Sequence, residues 1–236
     1  MFFRKHKSKK VSNDKKKSLL DMSGEFLRQH KYENAIAALD EILELDSKDS
    51  VAWYTKGLTF ILMDKSDEET LICFENSLKI NPKNADAWQR RGKLLNKFGK
   101  YSEALKSFEK ALKIDHDNYK ALSNKGFSFM KLKNYQEAIN CYDNVLKLKP
   151  DYFNAWYFKG FALLGLINKN EEATFCFEKA LTLNPQNANA WYGKGLSFEQ
   201  LKMPEDALKC YERALKLNPD LKGAKNARKN ILSSKS

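Results

Sequence analysis

The amino-acid sequence predicts an all-α protein, built as a solenoid of six antiparallel helix pairs and a capping helix. Landmark residues recur along the chain at spacings of 34 or 35 residues, beginning near Lys16. Within each unit the apolar residues fall at i, i+3, i+4 and i+7, which is the spacing of one face of an α-helix and not of a strand. Repetition at such a period is typical of stacked helical units that bury their apolar faces against their neighbours.

The landmarks divide the 236-residue chain into six units and two ends. A basic flexible tail covers residues 1–15, and residues 222–236 form a capping helix and the C-terminal end. Units two and five are one residue longer, with the extra residue between their helices near Asp64 and Ile167. Because this insertion recurs three units apart, duplication of a three-unit block is its simplest explanation. The units cover residues 16–49, 50–84, 85–118, 119–152, 153–187 and 188–221.

Unit five shows the landmark residues in full. Trp156 fills the space between helices, and Gly160, four residues later, allows two helices to approach closely. A glycine inside a helix costs about 1 kcal/mol relative to alanine, so its recurrence indicates a packing requirement. Ala173 and Phe177 lie on the buried face of the second helix, and Pro185 ends that helix.

This layout resembles the tetratricopeptide repeat family, in which Trp, Gly, Tyr, Ala, Phe, Ala and Pro stand at corresponding offsets. The resemblance covers about residues 16–221 and implies a right-handed superhelical array whose first helices line a concave groove. One position departs from the family pattern, because the residue before the glycine is basic where leucine is usual. A basic side chain can lay its stem along a helix and keep its charge in water. We therefore expect a solvated stripe formed by Lys56, Arg91, Lys125, Lys159 and Lys194.

The resemblance also implies a set of peptide-binding residues. In tetratricopeptide arrays the residues one, five, eight and nine positions after the Trp commonly face a bound peptide. Transferred onto this chain, with the neighbouring Arg90, they give two apolar and aromatic stretches around a basic centre. Such a groove suits a protein or peptide with apolar anchors and acidic residues. The candidate residues are Tyr54, Leu58, Ile61, Gln89, Arg90, Lys93, Lys97, Phe127, Met130, Tyr157, Phe161, Leu164, Tyr192 and Leu196.

No arrangement of residues in the sequence predicts catalysis, a cofactor or a metal site. The histidines lie in the tail or at unit turns, and neither an HExxH motif, a nucleophile–base motif nor a glycine-rich phosphate loop is present. The cysteines occupy the same place in their units and form no CxxC pair, so we expect small apolar packing residues at Cys73, Cys141, Cys176 and Cys210. No apolar run approaches the length of a membrane span. These features predict a non-enzyme in the reducing cytoplasm.

The net charge of +12 lies at the two ends of the chain. Residues 1–17 hold eight Lys or Arg and one Asp, and residues 222–236 hold five Lys or Arg and no acid, so the repeats themselves are neutral overall. The tail is either a solubilising terminus or an electrostatic contact with RNA, an acidic protein or a membrane surface. We therefore expect a non-catalytic protein-interaction scaffold. The alternatives are a nucleic-acid or ribosome-associated protein anchored by its basic N-terminal tail, and self-assembly through the array ends.

Overall fold

The structure is a computed structural model that describes the backbone of residues 2–233 and the side chains of residues 14–233. Over these residues the chain forms thirteen α-helices and no strand. The first helix runs through the region of the expected tail, but the side chains of residues 1–13 lie outside the described residues, as do residues 234–236. The flexible tail therefore stays a prediction.

Each odd-numbered helix packs against the even-numbered helix that follows it, and the last helix packs against the second helix of the sixth pair. The prediction of an all-α array of helix pairs is confirmed. The helices are α1 (Phe2–Arg28), α2 (Tyr32–Leu45), α3 (Ser50–Leu62), α4 (Asp67–Ile80), α5 (Ala85–Lys97), α6 (Tyr101–Ile114), α7 (Tyr119–Lys131), α8 (Tyr135–Leu148), α9 (Phe153–Leu164), α10 (Asn170–Leu183), α11 (Ala188–Gln200), α12 (Pro204–Leu217) and α13 (Lys222–Ser233).

The helices belong to two compact units. Unit 1 covers Met1–His116 with α1–α6, and unit 2 covers Asp117–Ser236 with α7–α13. In unit 1 a cluster of buried residues between α1, α2 and α3 includes Leu39 and Ile42. In unit 2 the largest core cluster is formed around Tyr142 and Phe177 on the second helices. In both units the core therefore lies between first and second helices that follow one another along the chain, as expected when every pair buries one face.

Polar contacts fix where the first helices begin. The side chains of Asp49, Asn84, Asn118 and Asn187 each accept a hydrogen bond from a backbone N–H in the first turn. Such caps satisfy donors that the helix itself leaves unpaired. The indole N–H of each first-helix Trp donates to the carbonyl oxygen six residues earlier, at 2.8 Å for Trp156 and Pro150. The recurring Trp therefore also ties each first helix to the turn before it.

The recurring glycine is required by the ring of the second helix. A Cβ placed on Gly160 would lie 2.8 Å from Phe177 Cζ, and one placed on Gly195 would lie 2.6 Å from Tyr211 Cδ1. Both rings are completely buried. Because a buried ring has little room to move, a side chain at the glycine would separate the two helices.

The basic residue before that glycine is not solvated, so the expectation of a solvated stripe is wrong. Four of these side chains are only 17–20% exposed and form ion pairs with an acid in the preceding second helix, always at the same sequence separation. The pairs are Lys56 with Asp40, Arg91 with Glu75 at 3.0 Å, Lys159 with Asp143 at 2.5 Å, and Lys194 with Glu178 at 2.9 Å.

The ion pairs join consecutive repeats within each unit. In each of these four pairs, the cationic group of the Lys or Arg also lies 5.8–5.9 Å from the centre of the Trp ring one turn earlier on the same helix. In α13, Arg228 follows Glu212 at that same sequence separation and approaches it at 3.8 Å. The last helix thus repeats the register of a first helix.

Candidate binding faces

The first helices of unit 2 form a layer of their own. Besides its second-helix neighbours, α9 contacts both α7 and α11. The predicted binding residues of this unit lie on these three helices, so the fold brings them onto one layer. They are Phe127, Met130, Tyr157, Phe161, Leu164, Tyr192 and Leu196.

The centre of this layer is an aromatic cluster. The ring of Tyr157 lies 4.9 Å from Phe158 and 5.1 Å from Phe161, and Phe161 lies 5.0 Å from the buried Phe177. Tyr157 and Phe161 are half-buried, and burial raises the pKa of the Tyr157 hydroxyl. These two residues therefore contribute to the core as well as to the surface. The sequence pattern does not distinguish between these two roles.

The other predicted residues of unit 2 are half-buried as well. Met130 and Leu164 pack against the same core as Tyr157. Tyr192 and Leu196 pack against the core of the last repeat, where the Tyr192 ring lies against α13 beside Gly223. Phe127 has Lys131 over its ring at 5.3 Å. The unit 2 face is consequently an apolar surface with few projecting side chains.

In unit 1, α3 and α5 are joined by a polar network. The hydroxyl of Tyr54 on α3 donates to Asp86 Oδ2 on α5, and Arg90 Nε donates to the same oxygen at 2.7 Å. Burial, followed by the hydrogen bond to Asp86, raises the pKa of Tyr54. Asp86 is not among the residues predicted from the sequence, although its i, i+4 spacing to Arg90 is a recognisable signal for an ion pair.

The remaining predicted residues of unit 1 differ in how accessible they are. Gln89 is only 6% exposed and Leu58 is half-buried. Lys97 pairs with Asp67 at the start of α4. Ile61 and its neighbour Leu62 are 45% and 57% exposed, which is unusual for large apolar side chains.

Lys93 is exposed on α5, and the described residues provide no ion pair for it. The accessible part of this face is therefore apolar at the end of α3 and cationic on α5.

The described residues contain no group of His, Cys, Asp or Glu suited to a metal ion. All four cysteines are buried free thiols, and burial raises the pKa of each to about 11. They pack as small apolar side chains. Among the helices of the described chain, none is long and apolar enough to cross a membrane.

Known structures with the same fold match most of the chain. YrrB, described as a TPR protein with an unusual peptide-binding site, shares 22% identity with a TM-score of 0.68, covering 81% of this chain and 98% of its own. PilW, described as a type IV pilus biogenesis factor, shares 20% identity with a TM-score of 0.72, covering 92% and 97%. The pilF protein of Pseudomonas aeruginosa shares 14% identity with a TM-score of 0.74, covering 95% and 99%. At these identities the likeness concerns the fold alone.

Models of known protein families also match this sequence, whereas no curated protein matches it. Two models described as tetratricopeptide repeat match residues 153–187 and 188–221. A third, described as the C-terminal ARM domain of tetratricopeptide repeat protein 21, matches residues 13–155, which is more than half of the chain. With the helix pairs and their glycine and Trp contacts, these matches establish that the chain belongs to the tetratricopeptide repeat family.

Proposed function

We propose that this protein is a non-catalytic scaffold that binds a segment of a partner protein on its first-helix faces. The observation that carries the proposal is a link between a helix with exposed apolar side chains, α3, and a helix with an exposed lysine, α5. The Tyr54–Asp86 hydrogen bond holds these two helices side by side. Ile61 stands seven residues after Tyr54, and Lys93 stands seven residues after Asp86. Seven residues are about two helical turns, so Ile61 lies on the same face of α3 as Tyr54, and Lys93 lies on the same face of α5 as Asp86.

The chemistry of this surface indicates the kind of partner. Burying Ile61 and Leu62 under a partner removes apolar surface from water, which favours association. Lys93 has no carboxylate partner among the described residues, so it is available to orient an acidic residue of the bound segment. We therefore propose a partner segment that combines apolar anchors with acidic residues.

The layer formed by α7, α9 and α11 in unit 2 extends the proposal to a second face. Its half-buried rings, such as those of Phe127 and Phe161, offer a flat apolar surface for a segment to cover. Aromatic side chains contribute strongly to binding when water is excluded from them. The peptide-binding site named for YrrB is consistent with such a use of the fold.

Two exposed isoleucines in unit 1 allow a matched test. Ile61 lies on the first helix α3, whereas Ile72 lies on the second helix α4 with similar exposure. Proteins captured from native lysate by the wild-type chain should be lost with Ile61→Ser and retained with Ile72→Ser. Circular dichroism checks that both variants keep their helicity.

A charge reversal tests the cationic part independently. Lys93→Glu on α5 should weaken capture, whereas Lys110→Glu on the second helix α6 should not, although both change the net charge equally. Unchanged capture with both Ile61→Ser and Lys93→Glu, or equal losses with the second-helix controls, would show that the first-helix face does not bind the partner.

The alternative of a nucleic-acid or ribosome-associated protein depends on the basic tail. Lys15 at the end of the tail and Lys16 at the start of the first repeat already have acidic partners within unit 1. Lys15 lies 2.6 Å from Glu41, and Lys16 lies 2.9 Å and 2.6 Å from Asp46 and Asp49. These contacts leave less charge for a phosphate backbone, so we rank the alternative second. A cytoplasmic location is part of the main proposal, because free thiols are usual in a reducing compartment.

A further inference from the structure

The last helix, α13, has the register of a first helix. Arg228 stands 34 residues after Lys194, and both approach an acid on the preceding second helix at the same sequence separation. Ala224 stands 34 residues after Ala190, and both side chains are completely buried. Each residue of α13 can therefore be compared with the residue of α11 that lies one repeat earlier.

One face of α11 is covered by its second helix, α12. Trp191 and Phe198 on this face pack against the core of the last repeat. Gly195 lies between them on the same face, and a Cβ there would be 2.6 Å from Cδ1 of the Tyr211 ring on α12. This face is therefore apolar, and its glycine allows the second helix to approach closely.

The corresponding face of α13 is open and positively charged. Lys225 and Lys229 stand where α11 has its Trp and its Gly, and both are exposed. Leu232 stands where α11 has its Phe and is 46% exposed, and the exposed Lys222 precedes Lys225 by one turn. The described residues provide no carboxylate for Lys222 or Lys229, and Lys225 approaches only Asp220, at 3.4 Å. We call Lys222, Lys225, Lys229 and Leu232 the α13 face.

A helix on the α13 face could not lie as close as α12 lies to α11. The side chain of Lys229 occupies the space that Gly195 leaves for the Tyr211 ring. A helix in this place would therefore lie farther out and would face the ammonium group of Lys229. Because an ammonium group is costly to remove from water without a counter-charge, the residue opposite it must be an acid.

Charge also decides which occupants fit the α13 face. Residues 1–13 of this chain hold five Lys or Arg and no acid, so the face repels them. Two copies of α13 placed face to face would bring like charges together. A nucleic acid would supply negative charge, but its phosphate backbone has no apolar group to cover Leu232. An acidic protein segment with apolar side chains satisfies both requirements.

We propose that the α13 face docks an acidic amphipathic helix of a partner protein, whose carboxylates pair with Lys225 and Lys229 and whose apolar side chains cover Leu232. A helix is favoured because each earlier first helix has a second helix packed against it. The charges select the partner, and the apolar contact adds affinity. The face belongs to unit 2 and does not include the α3–α5 surface, so its failure would leave the proposed function unaffected.

The probe is an acetylated and amidated peptide of leucine and glutamate, as long as α12 and with leucine at i, i+3, i+4 and i+7. Its binding to the full chain is followed by NMR through the backbone amide signals of α13. Two comparison probes are a peptide with lysine in place of every glutamate and a single-stranded oligonucleotide of equal negative charge. The glutamate peptide should bind about tenfold more tightly than the lysine peptide, and raising the salt from about 0.05 M to about 0.5 M should weaken its binding several-fold.

A charge reversal provides the main variant. Lys225→Glu with Lys229→Glu should weaken binding of the glutamate peptide about tenfold, and the same α13 signals should now respond to the lysine peptide. The matched control, Lys147→Glu with Lys216→Glu, reverses two exposed lysines on second helices of unit 2 and should leave both affinities unchanged. Leu232→Ser should weaken binding of the glutamate peptide several-fold, because it removes the apolar contact and keeps the charges. All these side chains are exposed, and circular dichroism checks that each variant keeps its helicity.

Several outcomes would overturn the proposal. They are the absence of a saturable shift in α13 with the glutamate peptide, equal binding of the lysine peptide by the wild type, and equal behaviour of the charge-reversed variant and its control. Tighter binding of the oligonucleotide, with no effect of Leu232→Ser on peptide binding, would assign the face to a nucleic acid and refute a protein helix. A shift in α13 that depends on protein concentration without any probe would assign the face to a second copy of this chain and would equally refute the proposal.

Discussion

Two buried tyrosines in unit 2 should respond in opposite ways to the removal of one hydroxyl group. Tyr142 and Tyr211 hold the same position in their repeats, and both are completely buried. The hydroxyl of Tyr211 donates to Glu199 Oε2 at 2.6 Å. The residue that stands twelve positions before Tyr142, as Glu199 does before Tyr211, is Met130, and the Tyr142 hydroxyl has no hydrogen-bond partner among the described residues.

The magnitudes follow from this difference. A buried donor without a partner costs about 1–3 kcal/mol, whereas losing the oxygen atom leaves only a small void, so Tyr142→Phe should stabilise the protein by about 1 kcal/mol. Phenylalanine already occupies this position in three other repeats, as Phe74, Phe108 and Phe177. Tyr211→Phe removes a hydrogen bond to a charged group. Because Glu199 is exposed and regains water, we expect a loss of about 1–2 kcal/mol.

The assay is urea unfolding followed by circular dichroism and by Trp fluorescence. Repeat arrays can lose cooperativity, so the free energies are compared only if the dependence on urea is the same for both variants and the wild type. Equal destabilisation by Tyr142→Phe and Tyr211→Phe would refute the reasoning, because it would mean that the Tyr142 hydroxyl has a stabilising partner.

Three further predictions concern packing, thiol chemistry and the tail. Gly195→Ala should destabilise the fold by about 1–3 kcal/mol in urea unfolding, because the new Cβ meets the buried Tyr211 ring. Gly24→Ala should instead stabilise the fold by up to about 1 kcal/mol, because the nearest atom to its new Cβ is 3.9 Å away. The four thiols, whose pKa burial raises to about 11, should react slowly with a disulfide reagent at pH 8 and fully after unfolding. Since unfolded thiols ionise first, stability should fall as the pH rises from about 9 to about 11, and a flat profile there would contradict the raised pKa. Deleting residues 1–13 should leave partner capture nearly intact, whereas the nucleic-acid alternative predicts its loss together with a steep dependence on salt.

The fold class could be predicted because its determinants are local and repeated. Gly160 and Phe177 belong to one helix pair, and the Trp156 indole bonds to a carbonyl only six residues away. Each such contact recurs in the next repeat, so its signal is reinforced along the sequence. Six imperfect copies together indicate a helix pair, whereas a single copy would not be sufficient to indicate one.

The ion pairs between repeats could not be predicted in this way. Lys159 reaches Asp143 in the preceding second helix, and so wide a sequence separation matches no interaction within a single helix. A basic residue on a helix surface is usually solvated, so the local pattern favoured the wrong interpretation. Only the recurrence of an acid at one fixed separation before each basic residue carries the signal, and it becomes meaningful once the packing of consecutive helices is known.

The candidate site is less predictable than the fold because exposure depends on neighbours that differ from repeat to repeat. Gln89 and Lys93 are four residues apart on one helix, yet the first is buried and the second exposed. The turns of the two longer repeats could not be predicted either, because the sequence shows one shared insertion and the structure shows two different turns.

One of these turns keeps the common geometry and precedes Asp67, which pairs with Lys97, and the other leaves Ile167 88% exposed. Because the two repeats retain the same scaffold residues, the constraints of folding apply equally to both. The two turns therefore differ in their surface contacts without a change in the core residues.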